Sequence, residues 1–524
     1  MTASEGVWPR RLFAGLSGLL AGYTALAVAE LVAAAVRPEA GPVTAVGGAA
    51  IDRTPAPVKD WAIRTFGESD KLVLQLGILA VLTALAAALG LLAPRHRRVG
   101  AAAVLALGVV GALAATGRPD SGSLLDAAPS LAGALVGATL LFVLAGRLSA
   151  PVAGEEPEGA GGWDRRGFLI AAGAAAAAST GAGALGRVLG GSRARDAVSS
   201  RAAAVLPRPD SPAPALPRGA QLRVFGISPF TTPNKDFYRV DTALVVPKVD
   251  ATRWRLRLHG RGVSRPLTVT YDDLLGRELI ERYITLTCVS NEVGGPYVGT
   301  ARWIGVPLAE LLAEAGVRPP SRGGPADQLV ARSVDGMTLG TPVEDVMDGR
   351  DALLAVGMNG EPLPFEHGFP VRMVVPGLYG YVSACKWIED IELTTFDAYD
   401  PYWVKRDWAR QAPVKTQARI DTPKPFARPK AGLVVIAGVA WAQRRGIDRV
   451  EVRVDDGPWR PADLARQATV DTWRQWSLPW LATPGSHTLT VRATDGTGRT
   501  QTEKRTRTIP DGASGRHAVV VTVD

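Results

Sequence analysis

The feature that most constrains this chain is its first 190 or so residues, in which charged residues are scarce and Ala, Leu, Val and Gly predominate. Four runs, 12–36, 71–93, 99–116 and 127–146, are each about long enough to cross a hydrocarbon layer of about 30 Å as a helix rising about 1.5 Å per residue. An all-α transmembrane region over 1–162 is therefore expected, with Pro129 lying inside the fourth run. Arg10 and Arg11 precede the first run, Arg95, Arg97 and Arg98 follow the second, and Arg147 follows the fourth, which places the N-terminus in the cytoplasm. The loop 37–70 weighs less, because Arg53, Lys59 and Arg64 are mixed with Asp52, Asp60 and Glu68. Glu30 falls at the outer end of the first run, where water can solvate it. His96 is the only histidine before residue 259, so this region cannot offer two axial imidazoles to a haem.

After four crossings the chain is back in the cytoplasm, where it reads WDRRGFLIAA at 163–172. Arg165-Arg166-Gly167-Phe168-Leu169, followed by a weakly apolar stretch to Leu185, resembles a twin-arginine export signal. An ordinary flanked helix gives the same topology: 163–190 form a fifth crossing and put the remainder on the extracytoplasmic side of a multi-pass cell-membrane protein. Twin-arginine export carries proteins that are already folded, often around a cofactor. Residues 191–222, with Pro207, Pro209, Pro212, Pro214 and Pro217, read as a stiff extended linker.

From 223 to 412 strand-like runs such as Leu329–Val334 and Val371–Val375 alternate with turns and short helical patterns such as Leu308–Ala315, the signature of an α+β domain. From 413 to 524 the runs LVVIAGVAWA, RVEVRVDDGPW, TWRQWSLPW and HTLTVRATDGTG have period-two character and predict a β-sandwich of immunoglobulin-like size, suited to packing or dimerisation. The net charge of +9 is scattered without a basic stripe, which excludes nucleic acid as a partner. Two cysteines, Cys288 and Cys385, are too few for a disulfide framework or a four-thiolate site.

YITLTCVSNEVGG at 283–295 sets Cys288 at the end of an apolar strand before a Gly-rich loop. A lone cysteine is more often a small buried hydrophobe, which is the reading for Cys385. Farther on, NGEPLPFEHGFPVRMVVPGLYGYVSACKWIEDIEL at 359–393 gathers His367, Arg372 and Lys386 on turns and short strands, a donor set suited to an anion. These two stretches, with FYRVDTALVVP at 237–247, resemble the sulfite oxidase family of molybdopterin enzymes, over roughly residues 225–520.

The resemblance implies a molybdenum–molybdopterin cofactor with Cys288 as thiolate ligand to the metal, Arg239 beside it as a catalytic and cofactor-binding residue, His367 and Arg372 on the pterin and its phosphate, Ser383 and Lys386 in a further cofactor stretch, and Asp335 on the pterin. It also implies oxygen-atom transfer at an oxo-molybdenum centre, with sulfite or a related small anion as substrate, held by Arg239 with Lys405 and Arg406. Electrons would leave to an external c-type cytochrome or the quinone pool, because the sequence has neither CxxCH nor a haem-binding histidine pair. In this family the C-terminal sandwich mediates a homodimer. Departures stand beside the matches. Trp408, in VKRDWAR, stands where sulfite-oxidising members carry a tyrosine and is the third catalytic candidate, Asp241 replaces a histidine, and the segment after Gly380 is about one residue longer than the animal pattern. They leave open S-oxide or N-oxide reduction at the same centre; a non-catalytic, membrane-tethered binding module is an alternative of another class.

Overall fold

The computed structural model describes residues 7–55, 58, 61, 65, 66, 70–118, 121, 123–149 and 165–524; Lys59, Asp60, Arg64, Glu68 and all of 150–164 lie outside the described residues. The chain forms two compact units, Met1–Asp196 with Thr242–Val246, and Ala197–Asp241 with Pro247–Asp524.

The first unit is helical: α1 (Val7–Val36), α2 (Pro42–Arg53), α3 (Asp70–Leu92), α4 (Arg97–Thr116), α5 (Ala128–Ser149) and most of α6 (Arg165–Ala203). Five of these, all but α2, are long and apolar enough to cross a membrane. The four apolar runs fall in α1, α3, α4 and α5. Pro129 is the second residue of α5, in a first turn whose N–H groups have no helical partner to lose. Small residues set the helix contacts: a Cβ on Gly18 would come within 1.9 Å of the Ala86 carbonyl, and one on Gly133 within 2.2 Å of that of Ala25. Phe168, from the twin-arginine stretch, is 3 % exposed and meets Phe13 edge-on at 5.6 Å, and the hydroxyls of Thr24 and Ser179 are 2.8 Å apart. Glu30 and His96 are exposed.

One expectation changes here. Residues 191–203, read as the start of an extended linker, continue α6 to Ala203. Ala, Arg and Ser in that stretch tolerate the helix, and the first proline comes only at 207.

The second unit holds four sheets. One five-stranded sheet runs β2-β1-β10-β5-β6, from β1 (Arg255–Gly260), β2 (Leu267–Thr270), β5 (Gln328–Ser333), β6 (Thr338–Pro342) and β10 (Ile388–Thr394). Another runs β3-β4-β7-β8, from β3 (Ile280–Thr287), β4 (Val298–Pro307), β7 (Leu353–Met358) and β8 (Glu361–Pro362), with β9 (Arg372–Val374) paired to β7. The C-terminal part has two four-stranded sheets. These are β11 (Gln417–Thr422), β12 (Gly432–Trp441), β16 (Arg474–Ala482) and β15 (Asp463–Leu464), then β14 (Arg460–Pro461), β13 (Ile447–Val454), β17 (Gly485–Asp495) and β18 (His517–Val523). Alternate residues of the period-two runs, among them Ile436, Val450, Val452, Trp476, Leu489 and Val521, point into one core that both sheets share.

Residues 247–412 and 413–524 fall in the same compact unit. Val439, Trp441 and Trp473, from beyond 412, join the larger apolar core. The same segment grips β3: Trp473 N–H donates to Thr285 Oγ1 at 2.7 Å, and Gln443 Nε2 donates to the Thr285 carbonyl at 2.9 Å and Thr287 Oγ1 at 3.1 Å. Buried backbone and hydroxyl groups left without these partners would cost about 1–3 kcal/mol each.

His517 completes the junction. Its Nδ1 accepts from Ile420 N–H at 3.0 Å, and its ring lies so close to Gly294 that a Cβ there would sit 2.2 Å away. Burial pushes the imidazole down to about 4, with Arg419 adding to the shift. The neutral ring is the folded form, so this stability is complete above the unfolded value of about 6.5 and is lost as pH falls toward 4. In thermal unfolding followed from pH 7 to pH 4, His517→Asn is expected to show a shallower decline than the wild type. Parallel curves would count against the assignment.

Candidate functional site

β3 delivers Cys288 to its place. The strand pairs antiparallel with β4 up to Thr287↔Val298, and the Cys288 N–H then donates to the Tyr297 carbonyl at 2.9 Å, closing the Gly-rich loop between the two strands. The thiol is 7 % exposed. Burial raises its pKa, while the N–H and hydroxyl of Ser290 act the other way by donating to the sulfur, and Lys386 adds a favourable charge. The donors aimed at the sulfur favour its anionic form.

A second segment supplies the cations. After the single turn Phe365–His367 the chain passes through Gly368 at φ +110, a left-handed conformation that favours glycine. A Cβ there would meet Arg372 Cβ at 3.1 Å and the Lys386 backbone at 3.2 Å, so Gly368 allows the His367, Arg372 and Lys386 segments to converge. Arg372 is 4 % exposed, donates to the His367 carbonyl at 3.2 Å and lies over the Trp303 ring at 4.9 Å. Burial lowers it to about 10, so it is a cation at neutral pH.

His367 is held in its neutral form. Its Nε2 faces the Asn234 carbonyl at 2.9 Å and must donate to it, and burial pushes the ring down to about 4. The side chain is thus a neutral imidazole whose Nδ1 can only accept, rather than a cation. That Nδ1, and Nε of Arg372, are buried without a hydrogen-bond partner among the described residues. A buried acceptor and a buried charged donor left unpaired are costly unless a ligand meets them.

Arg239 and Lys386 meet on the carboxylate of Asp241, whose Oδ2 lies 3.0 Å from Arg239 Nε and 3.2 Å from Lys386 Nζ. Lys386 also donates to the Glu366 carbonyl at 2.9 Å, and burial brings its ammonium down to about 8. Phe237 ties the segments together: it stacks on Tyr238 at 5.0 Å and meets His367 at 5.5 Å and Trp303 at 5.8 Å edge-on.

The structure thus gathers Arg239, His367, Arg372 and Lys386, with Cys288 within electrostatic reach of Lys386. The other expected residues sit differently. Ser383 is buried and donates to the Leu378 and Tyr379 carbonyls. Asp335 accepts from Met337 N–H in the β5–β6 turn and acts on Cys385. Trp408 packs against Tyr381 at 5.4 Å and Trp403 at 6.0 Å. Lys405 and Arg406 lie over the rings of Tyr399 and Tyr402. Cys385 is fully buried. Sequence reasoning missed Asn234, Tyr238, Ser290 and Trp303. Tyr238 and Ser290 adjoin motif residues, whereas Trp303 had no local signal.

Residues 243–403 match the family described as an oxidoreductase molybdopterin binding domain, a span that takes in Cys288, His367, Arg372 and Lys386 and leaves out Arg239 and Trp408. Mitochondrial sulfite oxidase of Mus musculus is 31 % identical over 293 residues, 48 % of this chain and 53 % of that protein; the Homo sapiens protein is 30 % identical over 306 residues, 50 % and 55 %. The NADH nitrate reductase of Solanum lycopersicum is 28 % identical over 320 residues, 49 % of this chain and 35 % of that one. The chain therefore spans about half the length of the sulfite oxidases it matches. Among solved structures, the sulfane dehydrogenase SoxCD of Paracoccus pantotrophus aligns with a TM-score of 0.49 and 26 % identity, covering 57 % of this chain and 84 % of that one. By its molybdopterin-binding segment and its relatives, the chain is a molybdenum-dependent oxidoreductase similar over about half its length to the sulfite oxidases, and its cofactor is the molybdenum–molybdopterin group.

Proposed function

We propose that this protein is a membrane-anchored oxidoreductase that transfers an oxygen atom to or from a small substrate, with sulfite or a related small anion as the leading candidate. The observation that carries the reading is the pairing of a hydrogen-bonded thiol at a strand end with buried, unpartnered polar atoms on His367 and Arg372. These residues fit the cofactor. The Cys288 sulfur would bind the metal, the Arg372 guanidinium has the planar donors a phosphate needs, and the neutral Nδ1 of His367 can accept from a pterin N–H. When bound, the group supplies two-electron oxygen-atom exchange.

The chain's own residues do the rest. Arg239, whose side chain is 35 % exposed, can orient a substrate oxygen. Trp408 offers an indole N–H without an acidic proton, so it can position a substrate but cannot pass a proton as a phenol does. Tyr238, whose phenol is held protonated by burial, stands closer to the thiol's charge. Electrons leave to an external carrier, a c-type cytochrome or the quinone pool. The Trp408 substitution also supports a second reading, reduction of an S-oxide or N-oxide.

The five apolar helices support insertion in the cell membrane, and the arginines at 10, 11, 95, 97, 98, 147, 165 and 166 support an N-terminus inside and a catalytic part outside. The C-terminal sheets support an immunoglobulin-like sandwich that joins two copies. Leu433 and Leu481, 75 % and 73 % exposed, are cross-strand neighbours on β12 and β16.

The purified protein is expected to contain about one molybdenum per chain, since the site has one thiolate ligand. Cys288→Ser should lose the sulfur-to-metal absorption band and at least about a hundredfold in turnover, the scale on which removal of one transition-state contact is felt. Turnover is read with sulfite and ferricyanide in one direction, and with an S-oxide and reduced viologen dye in the other. A metal-free wild type, or a serine variant with unchanged turnover, refutes the reading. For the dimer, Leu433→Glu with Leu481→Glu should halve the mass found by analytical ultracentrifugation in detergent, while an unchanged mass would move the interface elsewhere.

A further inference from the structure

The carboxylate of Asp241 stands where the sequence departs from its family, and it sits on the cations that would meet a substrate. Its side chain is 4 % exposed and its Oδ2 lies within 3.2 Å of both Arg239 Nε and Lys386 Nζ. Arg372, the third cation, is 4 % exposed and meets the His367 carbonyl and the Trp303 ring. The charges therefore divide. Arg372 keeps its full charge for a phosphate, whereas Arg239 and Lys386 together with Asp241 carry a net charge of one. A buried and a half-buried cation side by side without a counter-charge would draw a dianion strongly, and a fixed carboxylate between them removes most of that attraction. Arg239 still has the N–H donors of its two terminal nitrogens, enough to bind a single oxygen or a singly charged group.

We infer that Asp241 is a specificity-determining residue: as a built-in counter-anion for Arg239 and Lys386, it restricts the substrate to a small oxo compound that is neutral or carries a single negative charge. The inference rests on the oxygen-transfer reading of the site and narrows its substrate class. No bond to Asp241 is made or broken. Its role is to hold the local charge low while the substrate enters.

The test uses the full chain purified in detergent, with molybdenum measured on every sample. Sulfate serves as an inert dianion, nitrate as a monoanion and dimethyl sulfoxide as a neutral oxide, each titrated by calorimetry. Wild type should bind nitrate or dimethyl sulfoxide at least as tightly as sulfate. Asp241→Asn, which keeps the shape and drops the charge, should gain about tenfold or more in sulfate affinity, and Asp241→Glu should behave as wild type. With sulfite, Asp241→Asn should lower KM more than it changes kcat. Equal sulfate affinity in molybdenum-loaded wild type and Asp241→Asn overturns the inference and leaves the oxygen-transfer reading standing. If the asparagine variant fails to fold or load, the wild-type ranking decides alone, and a preference for sulfate over both other probes overturns the inference. Wild type without molybdenum overturns both.

Discussion

The site depends on how β3 ends. An antiparallel ladder carries the strand to Thr287, one further backbone bond from Cys288 to Tyr297 closes the loop, and the sulfur is left at the rim with Ser290 donating to it. A cysteine two residues earlier would be locked in the ladder and face the core or the neighbouring sheet. The position is fixed from behind by Trp473 and Gln443, which bond to the last turns of the same strand. A metal ligand must hold its geometry to a fraction of an ångström, and such support is the usual means.

Around that sulfur the electrostatics are divided rather than pooled. Burial makes His367 a neutral acceptor, leaves Arg372 a cation without a carboxylate, and joins Arg239 to Lys386 through Asp241. Four basic residues thus occupy three distinct chemical environments. The low dielectric of the pocket sharpens each difference, because a charge moved by one hydrogen-bond length matters more there than in water.

Much of this architecture was legible in the chain. The apolar runs became helices, and the period-two runs of the C-terminal part became β12, β13, β16 and β17, because burial on one face is written directly into residue order. His367, Arg372 and Lys386 stood out because they share one short stretch with Gly368 between them. What could not be read came from distant contacts. Trp303 reaches Arg372 from another strand, Asn234 sets the tautomer of His367 across more than a hundred residues, and the charge on Asp241 acquires its meaning only beside Lys386. The continuation of α6 to Ala203 was missed because prolines beyond 207 coloured the reading of residues before them. Trp408, named from motif position alone, packs against Tyr381 and Trp403, and Asp335, named the same way, accepts from Met337 N–H in the β5–β6 turn.

The grip of Trp473 and Gln443 on β3 also orders events in time. A nascent chain that has emerged only as far as residue 412 already holds every cation of the pocket, yet lacks the partners of Thr285 and Thr287. Those partners lie more than 150 residues downstream, so the rim that presents Cys288 becomes rigid only once Gln443 and Trp473 have been made. Cofactor capture accordingly follows the folding of the C-terminal sheets onto β3.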